Sequence, residues 1–209
     1  MSRKHILILL VTILSLQGCG PPNVDISEGA RKLTPSDYEH IMGIWTREES
    51  IYTLDTMDNV LTVTATYHSW EFRWAYSVRY SDDHRLSPDE RAEVRENEFS
   101  RYRKFHEFTV ATTSGDTKWS ELGEDSVWRV SLSNDRGDEV LPENIEEIRR
   151  PTPSQIAYFP YIGPFRNAYR INFPRVLPGT EVPVIGPDNE YFCLNFAGSL
   201  GNGRLCWNI

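Results

Sequence analysis

Cysteine is scarce in this chain, with three among 209 residues. No His or third Cys stands near Cys193 and Cys206, which excludes a sequence-local metal site of the usual cysteine type. Long apolar runs are also missing. The longest opens the chain at Ile6 to Leu16 and is broken by Thr12 and Ser15. It falls short of the about 20 residues a helix needs to cross a bilayer. Positive charge is in deficit, with 22 Lys and Arg against 30 Asp and Glu and a net charge of −8. That excludes the basic stripes that grip nucleic acid and a polybasic hold on anionic lipid. Histidine is sparse, and His40, His68, His84 and His106 form no HxH or HExxH spacing. No Ser sits in a GxSxG elbow, and Gly201-Asn202-Gly203 lacks the strand–loop–helix setting of a phosphate loop. These absences predict no metal, no cofactor and no nucleic-acid partner.

What is present begins with the leader. Arg3, Lys4 and His5 precede the short apolar run, the layout of a secretory signal peptide. The run ends in Leu16-Gln17-Gly18-Cys19. This resembles the lipobox of bacterial lipoproteins, in which the Cys thiol receives a diacylglycerol and the peptide is cut before it. The resemblance implies a signal peptide over 1–18, a lipid on Cys19 and attachment to the cell envelope. Gly20 in place of Asp implies the outer membrane by the same likeness. A plain signal peptide with an incidental Cys is the competing reading. Removal of 1–18 would leave 20 basic and 30 acidic residues.

Residues 19–33 are polar, contain Pro21-Pro22 and show no apolar periodicity, so they read as a lipidated end and a flexible tether. A single domain is expected over 34–209. Thr34-Pro35-Ser36-Asp37 starts a helix that carries Tyr38, Ile41 and Trp45 at helical spacing. Leu61 to Tyr67 alternates apolar residues with Thr, as a half-buried strand does. Residues 69–81 fit either period; Ser69 as a cap and the strong start at Ser87-Pro88-Asp89-Glu90 favour helix. Together they predict a helical insertion over 69–104. Strands are expected near 108–112, 128–132, 139–141, 156–159, 168–173, 182–185, 191–196 and 204–207, with a turn at Asn134-Asp135-Arg136-Gly137. The fold class is therefore mainly β (α+β), a β-sandwich of eight or nine strands with a helical insertion. The last two strands can face Cys193 and Cys206 across a hairpin, and in an oxidising compartment such a pair bonds.

Candidate site residues come from the aromatics. Trp70, Trp74, Tyr76 and Tyr80 crowd one short segment and would grip a protein or glycan partner if exposed. Covering of the core is the simpler use for them. Paired carboxylates of an envelope hydrolase meet only in space, so 30 acidic residues are no evidence for them.

Trp45-Thr46-Arg47, Leu61–Tyr67 leading into Phe72 and Ala75-Tyr76, Ser87–Glu90 and Trp128-Arg129-Val130 follow the lipobox in order. Asn134–Gly137, Tyr158-Phe159-Pro160, Tyr169–Pro174 and Leu205-Cys206-Trp207 complete the series. The series resembles a group of bacterial lipoproteins with an immunoglobulin-like β-sandwich and no assigned activity. That resemblance implies fold and location and transfers no catalytic residue. The expected role is a non-enzymatic binding or assembly module of the envelope, with the hydrolase as alternative.

Overall fold

The computed structural model describes residues 22–53, 58–123 and 125–209; the leader and Cys19 lie outside them. Among the described residues there are four helices and nine strands. The helices are α1 (Tyr38–Trp45), α2 (Trp70–Asp83), α3 (Pro88–Lys104) and α4 (Pro153–Tyr158). The strands are β1 (Thr46–Tyr52), β2 (Asn59–Tyr67), β3 (Phe105–Thr113), β4 (Trp128–Asn134), β5 (Glu139–Val140), β6 (Asn144–Glu147), β7 (Asn167–Pro174), β8 (Tyr191–Gly198) and β9 (Gly201–Asn208). They form two antiparallel sheets, ordered β1-β2-β3-β7-β6 and β5-β4-β8-β9. The architecture is mainly β and consistent with a β-sandwich.

Register explains the two faces of the larger sheet. Tyr67 pairs with Phe108 and Phe108 with Ile171, so these side chains share one face. That face meets the smaller sheet: the ring of Tyr67 lies 5.0 Å from Phe192, which stacks 5.2 Å from Trp207. Each such fully buried large side chain contributes about 1.5–3 kcal/mol. The opposite face carries Thr66, Thr109, Arg170 and Glu146 in one row across β2, β3, β7 and β6. Threonine suits a strand, and its hydroxyls leave this face polar. The helices and the segment after α4 cover it, with Tyr161 donating its hydroxyl hydrogen to Thr66 Oγ1 at 2.7 Å.

The insertion forms where its caps place it. Ser69 Oγ accepts from the Phe72 amide at 3.0 Å and starts α2. Ser87 and Glu90 form a reciprocal capping box at the start of α3, with Pro88 in its first turn. Cys193 and Cys206 lie opposite each other on β8 and β9 and are joined by a disulfide, with Cα atoms 4.1 Å apart.

Two expected strands are absent. Residues 156–159 belong largely to α4, because Thr152 caps it, Pro153 opens it and Gln155 reaches back to the Thr152 amide at 2.8 Å. A four-residue apolar run fits either period, and the box decides. Residues 182–185 pair only through an isolated bridge, Val176 to Pro183; a proline removes a ladder donor. Two strands replace them. β1 and β6 are sheet edges carrying Glu48, Glu49, Glu146 and Glu147, and charge is how edges resist further pairing. The polar stretch read as a tether is docked from Val24 onward. The Val24 amide donates to Asn208 O at 2.7 Å, and Gly29 O accepts from Trp70 Nε1 at 2.7 Å. Among the described residues no helix is long and apolar enough to cross a membrane.

Candidate functional site

A cavity of about 120 Å³ lies between the polar face of the larger sheet and the helical layer. The sheet supplies Glu107 and Thr109 from β3 and Arg170 from β7. The helices supply Tyr76 from α2, Glu98 and Arg101 from α3, and Ser154, Gln155 and Tyr158 from α4. His68, Ile148, Phe159 and Ile162 complete the wall. The strand period sends Glu107 to this side while His106 and Phe108 face the core.

Glu107 is 1 % exposed and sits at the centre of a charge cluster. Its Oε2 accepts from Arg73 Nη2 at 3.0 Å, and its Oε1 accepts from Arg101 Nη2. Arg170 Nε stands 3.4 Å from the same Oε1, and His68 Nδ1 stands 3.5 Å from it. Arg73, itself fully buried, also donates to Glu98 Oε2 at 2.6 Å and to His68 O at 3.1 Å. Arg101 reaches Glu98 Oε1 at 3.4 Å. Arg170 Nη1 in turn donates to Glu146 Oε2 at 3.3 Å, while His68 Nδ1 and Arg170 Nε, both buried beside Glu107 Oε1, make no hydrogen bond.

Burial pushes the Glu107 carboxyl up, but His68 and the guanidinium groups of Arg73 and Arg101 more than offset it and hold it at about 2. Burial drives the His68 imidazole well below its usual value; Glu107 opposes that, and Arg73, Arg101 and Arg170 reinforce it. The cluster thus sets three acidic side chains, Glu98, Glu107 and Glu146, against three arginines, with the imidazole neutral at pH 7. The ring of His68 is fixed by a 2.9 Å bond between Nε2 and Thr109 Oγ1 and by near-parallel stacking on Phe159 at 5.6 Å. The carboxylate beside Nδ1 favours the tautomer with its proton there, and the Thr109 hydroxyl then donates to Nε2. Such a site can orient an acceptor-rich ligand. A permanently ionised, clamped carboxylate is a poor proton donor. Among the described residues no three His, Cys, Asp or Glu side chains are placed to hold a metal ion.

The aromatics singled out by sequence have divided roles. Trp70 is buried, stacks on Phe99 at 3.9 Å and packs edge-on to Tyr102. Trp74 is half-buried against Phe99, with Arg95 over its ring. Tyr80 is half-buried and stacks on His84 at 4.0 Å. Only Tyr76 of the four lines the cavity, and burial pushes its hydroxyl up to about 12. Sequence reasoning passed over His68, Arg73, Glu98, Arg101, Glu107 and Arg170. One signal was available: Glu107 is an acidic residue inside a strand whose other members, His106 apart, are apolar or Thr. The rest meet only in space.

A second buried cluster lies in the core. Tyr67 donates its hydroxyl hydrogen to His106 Nδ1 at 2.8 Å, and Arg175 Nη1 donates to the same nitrogen at 3.0 Å. Two donors on Nδ1 put the ring proton on Nε2. Arg175 also lies 4.4 Å over the Tyr102 ring. His106 Nε2, which then carries the proton, is buried and makes no hydrogen bond. No family model, no curated protein and no solved structure matches the chain.

Proposed function

We propose that the protein is a lipid-anchored binding module of the cell envelope, and that the cavity between helices and sheet is its ligand site. The observation that carries the site is the pair of buried donors, His68 Nδ1 and Arg170 Nε, which stand 3.5 and 3.4 Å from Glu107 Oε1 without making a hydrogen bond, at a cavity with aromatic walls. Buried donors without partners are rare in native structures and call for an acceptor. The anchor rests on the lipobox-like Leu16–Cys19. Val24 is the fifth residue after Cys19 and is already docked, so the lipid would stand no more than roughly 18 Å from the domain. The immunoglobulin-like class is a further proposal, supported by two facing antiparallel sheets. In antibody domains the disulfide joins the two sheets, whereas here it joins neighbouring strands of one sheet.

The hydrolase alternative needs one carboxyl group held protonated. Glu98 and Glu107 are the carboxylates that meet at the cavity, and arginines bind both. That arrangement favours binding over turnover. The test incubates the full chain in detergent with the glycan and peptide fraction of the envelope. Retention of intact compounds, abolished by Phe159→Ala, is the expected result. Cleavage products that disappear with Glu107→Gln would overturn it. Mass spectrometry of the amino-terminal peptide reads the lipid: wild type carries an acylated Cys19, and Cys19→Ala stays out of the detergent phase.

A further inference from the structure

We infer that one end of the sandwich is a lipid-contacting face, set against the uncharged headgroup surface of the bilayer that holds the anchor; this rests on acylation of Cys19. Register defines the end. β7 finishes at Pro174, opposite Phe105, and β8 starts at Tyr191, opposite Asn208. The contact of Tyr67, the last residue of β2, with Phe192 brings these strand ends together. Residues 175–190 join them. Val24 reaches the same end through its amide bond to Asn208 O, and Ile209 through its amide bond to Glu190 O. The chain therefore leaves for Cys19 from this end, and the lipid stands within roughly 18 Å of it. A folded domain of about 100 residues has a radius of gyration of about 13 Å. No such partner fits beneath this end, so the bilayer is the surface it meets.

Apolar side chains are left uncovered there. A groove of about 530 Å³ is walled by Val24, Ile26, Pro187 and Ile209, with Asp25 and Glu28 at its side. On the same connecting segment, Val176 and Val182 are 40 % and 44 % exposed. They stand on a small hairpin that is held in place. The Leu177 amide donates to Val182 O at 2.8 Å, the Val184 amide to Arg175 O at 3.0 Å, and Arg136 Nη2 to Pro183 O at 3.2 Å. Apolar surface held in advance gives up little freedom on contact. Phe165, 91 % exposed, precedes the first residue of β7 and so marks the opposite end. The eight residues of β7 separate the two ends by roughly 26 Å.

Charge selects the lipid. Asp25 and Glu28 at the groove, and Glu181, Asp188 and Glu190 on the connecting segment, are all exposed. The cations near them are engaged: Arg31 pairs with Asp25, Arg136 with Asp138, and Arg175 lies half-buried over the Tyr102 ring. An acidic face is repelled by anionic lipid within about a Debye length, so it suits headgroups without net charge. The same acids hold the contact at headgroup depth, because hydrocarbon would strip their water.

The experiment is electron paramagnetic resonance of the full chain in phosphatidylcholine vesicles, with a nitroxide on Val182→Cys or, separately, on Phe165→Cys. Both positions are exposed, so both variants should melt like wild type. Oxygen concentrates in lipid and a nickel chelate in water. The label at 182 is expected to show an oxygen-to-nickel accessibility ratio severalfold above that at 165, which should read as water. Replacing part of the phosphatidylcholine by phosphatidylglycerol should lower the ratio at 182, and added salt should restore it. A water-like ratio at 182 in phosphatidylcholine, or one that rises with anionic lipid, overturns the lipid-contacting face. Mass spectrometry of the same sample separates that failure from failure of the anchor. Acylated Cys19 with a water-exposed 182 keeps the anchor and removes the face, whereas an unacylated Cys19 removes both.

Discussion

Replacing Glu107 by Gln keeps the shape of the side chain and an oxygen acceptor but removes the charge on which Arg73, Arg101 and Arg170 converge. The cost follows from the linkage between ionisation and folding. The carboxyl is held at about 2 in the fold, against an ordinary value of 4.5. At about 1.4 kcal/mol per unit, that difference is about 3 kcal/mol of stability at pH 7. Breaking a buried ion pair by removing one partner costs about 3–5 kcal/mol, which agrees. For a domain of this size each kcal/mol moves the melting temperature by about 2–4 °C. Thermal unfolding of the full chain at pH 7, followed by circular dichroism, should show Glu107→Gln melting about 6–12 °C lower. The sign with pH is also fixed. Because the folded value is depressed, the contribution is complete above about 4.5 and drains away as pH falls towards 2. Wild type and variant should therefore converge in acid. A variant that melts within 2 °C of wild type at pH 7 would refute the account of Glu107.

Other outcomes follow from the same contacts. Burial lowers both His68, which faces Glu107, Arg73, Arg101 and Arg170, and His106, which faces Arg175 and Tyr67. Above pH 6.5 neither state binds these protons; below it only the unfolded chain does, so stability should fall by up to about 2.7 kcal/mol per pH unit. Urea midpoints at pH 7, 6 and 5 read this slope, and His68→Phe should roughly halve it. Reduction of the Cys193–Cys206 disulfide, which closes a short hairpin, should destabilise by about 2–3 kcal/mol in a denaturant titration. Gly198→Ala should destabilise by about 1–3 kcal/mol in the same titration, since the new Cβ meets the backbone carbonyl of Val127; Gly203→Ala should cost less, because its Cβ meets side-chain atoms of Ile51 and Glu49 and no backbone.

Local chemistry made much of the fold legible. Ser69 and the Ser87–Glu90 box announce the helical pair, the alternation of Leu61–Tyr67 announces β2, and the spacing of Cys193 and Cys206 announces their hairpin. The edge strands were hidden because Glu48-Glu49 and Glu146-Glu147 replace the alternation that interior strands show. α4 was hidden because its box at Thr152–Gln155 precedes a run short enough for either period. The site was not legible at all. Arg73, Glu98, Glu107 and Arg170 lie on α2, α3, β3 and β7, and only the sheet register and the docking of two helices bring them to one charge cluster. Each alone reads as one more charged surface residue. The aromatics drew attention by their crowding, yet they pack within the helical layer, Trp70 and Trp74 on Phe99 of α3 and Tyr76 and Tyr80 on Tyr158 of α4.

The most direct test of the cavity as a ligand site is a nitrogen-15 spectrum of the full chain, resolving the His68 imidazole and the Arg170 side chain during titration with the glycan and peptide fraction of the envelope. The account predicts that His68 Nδ1 and Arg170 Nε shift together and saturate at one concentration, while the His106 imidazole stays in place. Saturable binding that leaves both His68 and Arg170 unmoved would contradict it.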